Sequence, residues 1–226
     1  HVFNGSGGRF IGAPPAGDLW GDAATMKKYD LTLLSCEGNT NVGGKSELVA
    51  LPEYLDAGGR VFATHYHYVW FSQSPSTELR TIATFSSSSG ASEHGAHSVN
   101  MSFPKGEAFG RWLAGVGTSP LGTVTLNNIR NSVVDLNLPA VPWITSISGR
   151  PRYFSFNTPL KAPADQQCGR AVFSDIHLTD AGGQRVIADC NLTSGNLNEQ
   201  QKALEFFLFD LSACITDDRE PPTVPK

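Results

Sequence analysis

Gly58-Gly-Arg-Val-Phe-Ala-Thr-His-Tyr-His-Tyr-Val-Trp-Phe71 decides how this chain folds. Gly58-Gly59 is predicted to close a helix, because glycine enters left-handed backbone there without strain. Arg60–Thr64 then reads as a short buried strand, with His65, Tyr66 and His67 at its carboxyl end. Upstream, Leu31–Ser35 is an apolar run without alternation, the pattern of a central parallel strand covered on both faces. Between them Ser46–Ala57 reads as a helix, with Ser46 as its N-cap and Pro52 marking either a kink or the start. Downstream, Gly169–His177 is a second strong core strand, expected beside Arg60–Thr64 and running the same way. Strand alternating with helix predicts an α/β fold: a three-layer sandwich with a mainly parallel, doubly wound sheet. Ligands of such sheets collect at the carboxyl ends of the strands.

Outward from this frame, Gly5–Gly17 is a glycine- and proline-rich loop without the Gly-Lys-Ser/Thr of a phosphate loop. Asp18–Lys28 is predicted as a short helix. Residues 72–159 read as an α+β insertion. It holds a polar loop or lid over Ser72–Asn100 with His94 and His97, and a helix over Gly106–Val116. A hairpin of Thr123–Leu126 with Ser132–Leu136 and a strand at Arg152–Asn157 complete it. Asn198–Cys214 is the clearest helix. Asn198 and Gln201 suit a capping box, and Leu204, Phe207, Leu208 and Leu211 form its docking face. Residues 216–226 are charged and proline-rich and read as a linker or tail, leaving 1–215 as one domain.

The 226 residues carry a net charge of −4 and no basic run, which disfavours nucleic acid and anionic membranes as partners. No apolar run reaches the roughly 20 residues of a membrane span. His1-Val2-Phe3 resembles the inside of a strand, so the chain is expected to continue a removed upstream segment. The four cysteines, Cys36, Cys168, Cys190 and Cys214, lack metal-type close spacing. Their even number, with abundant Ser, Gly, Asn and Thr, suggests a secreted, disulfide-bonded part of a larger chain. Four buried thiols in a cytosolic protein are the alternative. Placing each cysteine at the top or bottom of a parallel sheet pairs Cys36 with Cys190 and Cys168 with Cys214. Asn4, Asn100 and Asn191 each begin an Asn-x-Ser/Thr sequon, meaningful only in a suitable secretory host.

Three segments together carry a family resemblance: Tyr29-Asp-Leu-Thr-Leu-Leu-Ser-Cys-Glu-Gly38, Gly58-Gly-Arg-Val-Phe-Ala-Thr-His65 and Gly169-Arg-Ala-Val-Phe-Ser-Asp-Ile-His177. In order and spacing they resemble the class I glutamine-amidotransferase-like fold, and more closely its trehalose-utilisation-like branch. Lys202–Cys214 also resembles the closing helix of a group of secreted myxobacterial-type proteins. The resemblance covers about half of the chain. It implies a further strand–helix unit upstream of His1. It does not imply amidotransferase activity. The position where that family carries its Gly-x-Cys-x-Gly nucleophile elbow reads Ala63-Thr-His-Tyr-His67, and the late Phe-His-Pro-Glu is replaced by Phe173-Ser-Asp-Ile-His177.

Glu37, His65, His67, Asp175 and His177 are the candidate site residues, a cluster expected at the top of the sheet. Alternation along an extended strand would place His65 and His67 on one side. Imidazoles and carboxylates suit a divalent metal or acid/base work; capping strand ends by hydrogen bonds is the plainer reading. Tyr66, Tyr68, Trp70 and Phe71 could stack on a sugar but read more simply as core. Two functions remain open. One is a non-amidotransferase binding or structural module with a carbohydrate-type ligand; the other is a metal- or histidine-dependent hydrolase or lyase on a sugar-like substrate.

Overall fold

The structure, a computed structural model, describes residues 1–6, 10–45, 48–86, 93–117, 119–176 and 197–221. It is a mixed α/β fold. Among the described residues the main sheet has seven strands, ordered β1-β2-β9-β8-β7-β4-β5. These are β1 (Leu31–Leu34), β2 (Arg60–Thr64), β4 (Glu93–Val99), β5 (Thr123–Ile129), β7 (Val141–Thr145), β8 (Pro151–Thr158) and β9 (Gly169–Ser174). β3 (Ala83–Phe85) and β6 (Val133–Leu136) form a separate two-stranded sheet.

The two glycine-led segments lie side by side in parallel, with Val61 opposite Ala171 and Ala63 opposite Phe173. β1 pairs in parallel with the other edge of β2. The parallel half ends there. The pairings β9–β8, β8–β7, β7–β4 and β4–β5 are all antiparallel, so the sheet as a whole is not mainly parallel. Segment 72–159 is the cause: it supplies four strands to the same sheet rather than standing beside it. The expected hairpin does not form. β5 pairs with β4, and β6 turns away to pair with β3.

The Gly58-Gly59 turn behaves as its residue types require. Helix α3 spans Ala50–Asp56, with Pro52 in its first turn, where no intrahelical N–H bond is needed. Ser46, the expected cap, lies outside the described residues. At the other end Gly58 has φ +100°. The Gly59 N–H reaches the Tyr54 carbonyl at 2.9 Å and the Gly58 N–H reaches Leu55 at 3.0 Å, the paired bonds of a Schellman turn. Gly59 has a second reason to be glycine: a Cβ there would stand 2.3 Å from the Tyr54 ring. The stretch expected as one helix over 18–28 is instead two short ones, α1 (Gly17–Trp20) and α2 (Ala23–Met26). Asp22 caps the second by accepting the Ala24 N–H.

Alternate residues of the parallel strands feed two cores. Val61, Ala63, Ala171 and Phe173 join α3 and the aromatic segment Tyr68–Phe71, which runs into α4 (Val69–Ser72) ahead of α5 (Thr77–Thr81), with Trp70 and Phe71 fully buried. That bears out the core reading of Tyr68, Trp70 and Phe71, while Tyr66 is half-buried. Phe62 and Val172 join Trp143, Tyr153 and two helices, α6 (Pro104–Gly115) and α7 (Glu199–Ser212). Each large side chain taken fully from water contributes about 2–3 kcal/mol. The capping box of α7 is present, and Ala203, Phe207 and Leu211 are its buried apolar residues; Leu204 and Leu208 sit at the margin.

The segment after α7 does more than link. Asp218 is buried and accepts the Ser155 hydroxyl at 2.6 Å. It also pairs with Arg170 at 2.9 Å and with Lys105 at 3.0 Å. Asp210 of α7 completes this four-charge cluster. Thr216 contributes a carbonyl that accepts from Asn157. Cys168 and Cys214 are free, exposed thiols, so the expected bridge between them is not formed; Cys168 Sγ instead lies over Gly58. Cys36 is likewise free, and its expected partner Cys190 lies outside the described residues.

Candidate functional site

The site is built at the carboxyl ends of β1 and β2. Register holds those ends level, with Leu34 opposite Ala63 and the Thr64 hydroxyl bonded to the Leu34 carbonyl. Beyond Thr64 the chain does not continue as a strand. His65–Tyr68 is a tight 3₁₀ turn, and His65 takes φ +44°. A non-glycine residue in that region is strained by about 1 kcal/mol or more. The turn breaks the alternation expected of an extended strand, so His65 and His67 have different partners.

His67 points inward. Its Nε2 donates to the Ser35 carbonyl at 2.8 Å and stands 3.8 Å from Glu37 Oε2. Burial lowers its pKa to about 4, with Glu37 pulling the other way and Lys45 assisting the decrease. The ring is therefore neutral at physiological pH. Glu37 meets Lys45 at 2.5 Å, and both side chains are almost wholly buried. The Lys45 ammonium also donates to the carbonyls of Thr40 and Asn41 and lies 5.3 Å from the centre of the Trp20 ring. A buried charge pair is tolerable only when its remaining hydrogen bonds are filled in this way. Trp20 is fixed by its indole N–H on the Gly44 carbonyl.

His65 turns to the other neighbour. Its Nδ1 stands 3.1 Å from Cys36 Sγ, and its ring lies 3.9 Å, centre to centre, from that of Tyr66. The Gly38 N–H also reaches Cys36 Sγ, at 3.4 Å. Cys36 is exposed while His65 is buried.

Of the two remaining expected members, one is placed elsewhere. The Asp175 carboxylate accepts the Ser132 and Val133 N–H groups at 2.8 and 3.1 Å, fixing the start of β6. Burial raises its pKa to about 6 against those bonds and Arg152. His177 lies outside the described residues. Of the five, then, Glu37 and His67 meet, His65 lies on the same rim with Cys36, and Asp175 serves the fold elsewhere. Among the described residues no three His, Cys, Asp or Glu side chains are grouped to hold a metal.

His94 and His97, expected in a polar loop, lie on β4. His97 is buried, bonded through Nδ1 to the Gly95 carbonyl, and its Nε2 lies 3.5 Å from Glu93. Glu93 holds the buried Arg152 through two bonds, at 2.7 and 3.0 Å.

Beside Glu37 an open cleft of about 410 Å³ is lined by Ser6, Gly17, Trp20, Asn41, Gly43 and others. The first loop folds over one side of it, where the Ser6 N–H donates to Glu37 Oε1 at 2.9 Å. Trp20, Lys45 and the Cys36–His65 pair were missed in the sequence. A strongly apolar run just before Cys36 was the available signal for the pair; Lys45, in an Asn/Gly-rich loop, carried none.

Fold and site define a mixed α/β chain with an open cleft beside Glu37, past the carboxyl end of β1. No family model matches it, and a search of curated proteins finds no match. Among solved structures it is similar to the mmIFT52 N-terminal domain, at 11% identity and a TM-score of 0.48, over 84% of this chain and 80% of that one. It is also similar to Cytoplasmic Protein STM3548 from Salmonella typhimurium, at 13% identity and a TM-score of 0.47, over 89% and 82% of the two chains. No helix among the described residues is long and apolar enough to cross a membrane.

Proposed function

We propose that this chain is a binding module of a larger secreted protein, without amidotransferase activity, and that its cleft takes a neutral carbohydrate-type ligand. On this reading the two cores are the seams of a three-layer, amidotransferase-like sandwich of the trehalose-utilisation-like branch. The observation that carries the proposal is the fixed carboxylate of Glu37 in the cleft wall. A carboxylate has about four lone-pair positions. The Ser6 N–H and the Lys45 ammonium use two of them, so hydroxyl donors of a ligand can take the others. Lys45 cancels the charge, which suits a neutral polyol better than a cation. The histidines fit this role more than a hydrolytic one, since His67 is held neutral against a backbone carbonyl.

Calorimetric titration with a panel of neutral oligosaccharides tests this. Gly43 lines the cleft, and a Cβ there meets nothing within 4 Å. Gly43→Leu should therefore fill the cleft without disturbing the fold. At least one saccharide should bind the wild-type chain, and Gly43→Leu should weaken that binding tenfold or more at unchanged thermal stability. A wild-type chain that binds none of them, or binding indifferent to Gly43→Leu, would reject the proposal.

A further inference from the structure

We propose that Cys36 is a nucleophilic thiol, with His65 as its proton acceptor, and that it exchanges with small disulfides. This rests on the Cys36–His65 pair alone and is independent of what occupies the cleft. Three free cysteines are exposed: Cys36, Cys168 and Cys214. Among them Cys36 is the one shown in contact with an imidazole, at 3.1 Å from His65 Nδ1. The sulfur faces solvent while the ring that would take its proton is only 2% exposed. A thiol beside a positioned base is the arrangement that activates a cysteine for attack. The Gly38 N–H also reaches this sulfur, at 3.4 Å, and holds it at the rim.

The structure maintains this pairing at a cost. His65 Nδ1 reaches Cys36 from backbone at φ +44°, on a ring laid against Tyr66. The two residues come from neighbouring strand ends whose level is fixed by register. His67, two residues on, shows the contrast: its ring is fastened to the Ser35 carbonyl.

The step balances without a further reactant. Cys36 Sγ attacks one sulfur of a small disulfide as His65 takes the thiol proton. An S–S bond forms to Cys36, the original S–S bond breaks, and the departing thiolate receives the proton from His65. The products are a mixed disulfide on Cys36 and one free thiol. Such exchange needs an accessible sulfur; Cys36 is exposed, and the His65 imidazole stands beside it as the base.

The test uses the full chain, reduced, and then exposed to glutathione disulfide for graded times. Acid quenching and peptide mass measurement give the modified fraction at each cysteine, with Cys168 and Cys214 as controls in the same molecule. Cys36 should react at least tenfold faster than either. His65→Asn, chosen because asparagine accepts left-handed backbone, should remove that excess and leave the other two rates unchanged. Should His65→Asn not fold, Cys36→Ser reports instead, by loss of the fast phase of thiol release. Equal rates at the three sites, a Cys36 rate indifferent to His65→Asn, a fast phase that survives Cys36→Ser, or Cys36 recovered joined to Cys190 in the native protein would each overturn the proposal.

Discussion

Two buried groups should oppose one another in the pH dependence of stability, and separating them is a sharp test of the fold. Asp175 has its pKa raised by burial from 3.8 to about 6. Its contribution is fully present below pH 3.8 and is lost as pH rises through 6. At 1.36 kcal/mol per pKa unit this amounts to about 3 kcal/mol. His67 has its pKa lowered, again mainly by burial, from 6.5 to about 4. Its contribution is present above pH 6.5 and is lost as pH falls towards 4, also by about 3 kcal/mol. Between pH 4 and 6 the two slopes have opposite sign and similar size, so the wild-type chain should be nearly flat there. Asp175→Asn removes the first slope, while its amide oxygen can still accept the Ser132 and Val133 N–H groups. Stability of this variant should fall by about 3 kcal/mol on acidification from pH 6.5 to 4. His67→Gln keeps a donor for the Ser35 carbonyl and should tilt the profile the other way. Urea denaturation at half-unit pH steps and constant ionic strength reads the slopes. A uniform loss from imperfect packing would shift a curve without tilting it. Groups common to the chains, such as Asp56, Glu93 and Asp218, cancel in the difference. An Asp175→Asn profile parallel to the wild type from pH 4 to 6.5 would refute the reasoning.

Other expectations follow from the same contacts. Asp218→Asn should cost about 2–3 kcal/mol, less than the 3–5 of a fully broken buried pair, because Asp210 stays 2.8 Å from Arg170; a loss below about 0.5 kcal/mol in urea denaturation would place Asp218 outside the core. Burial pushes the Asp218 carboxyl up, but Arg170 and Lys105 outweigh it and hold it below the usual range. Its stabilisation is therefore present above pH 4 and lost on further acidification, and Asp218→Asn should lessen the acid sensitivity below pH 4. Gly169→Ala should cost about 3 kcal/mol or more, since the new Cβ would stand 2.0 Å from the Leu55 carbonyl oxygen, a backbone atom with little room to move; an unchanged melting temperature would contradict that contact.

How much of this was legible in the sequence depends on the range over which each feature is determined. The Gly58-Gly59 turn and the capping box at Asn198 and Gln201 were readable because their bonds close within six residues. The parallel pair β2–β9 was readable because both strands are apolar on both faces. β4 was not: Glu93-His-Gly-Ala-His-Ser-Val99 has the composition of a loop, and its buried His97 bonds to the Gly95 carbonyl and lies 3.5 Å from Glu93. The false hairpin has an equally physical cause. Thr123–Leu126 and Ser132–Leu136 have hairpin spacing, yet Asn128 takes φ +55° and the Asp175 main chain and carboxylate capture the N–H groups of Arg130, Ser132 and Val133. A residue 43 positions beyond Ser132 thus decides where β6 goes. The same holds for the site and the tail. His65 and His67 were found, but which neighbour each meets was set by a strained turn that alternation could not foresee. Asp218 reads as a solvated charge until Arg170, 48 residues earlier, is known to meet it directly at 3.0 Å. In this chain apolar pattern fixes the parallel strands, whereas buried charges and their distant partners fix how the antiparallel half and the rim are arranged. The variants most informative about fold and function are therefore those at buried polar groups, Asp175, His67, Asp218 and His65, rather than those in the aromatic core.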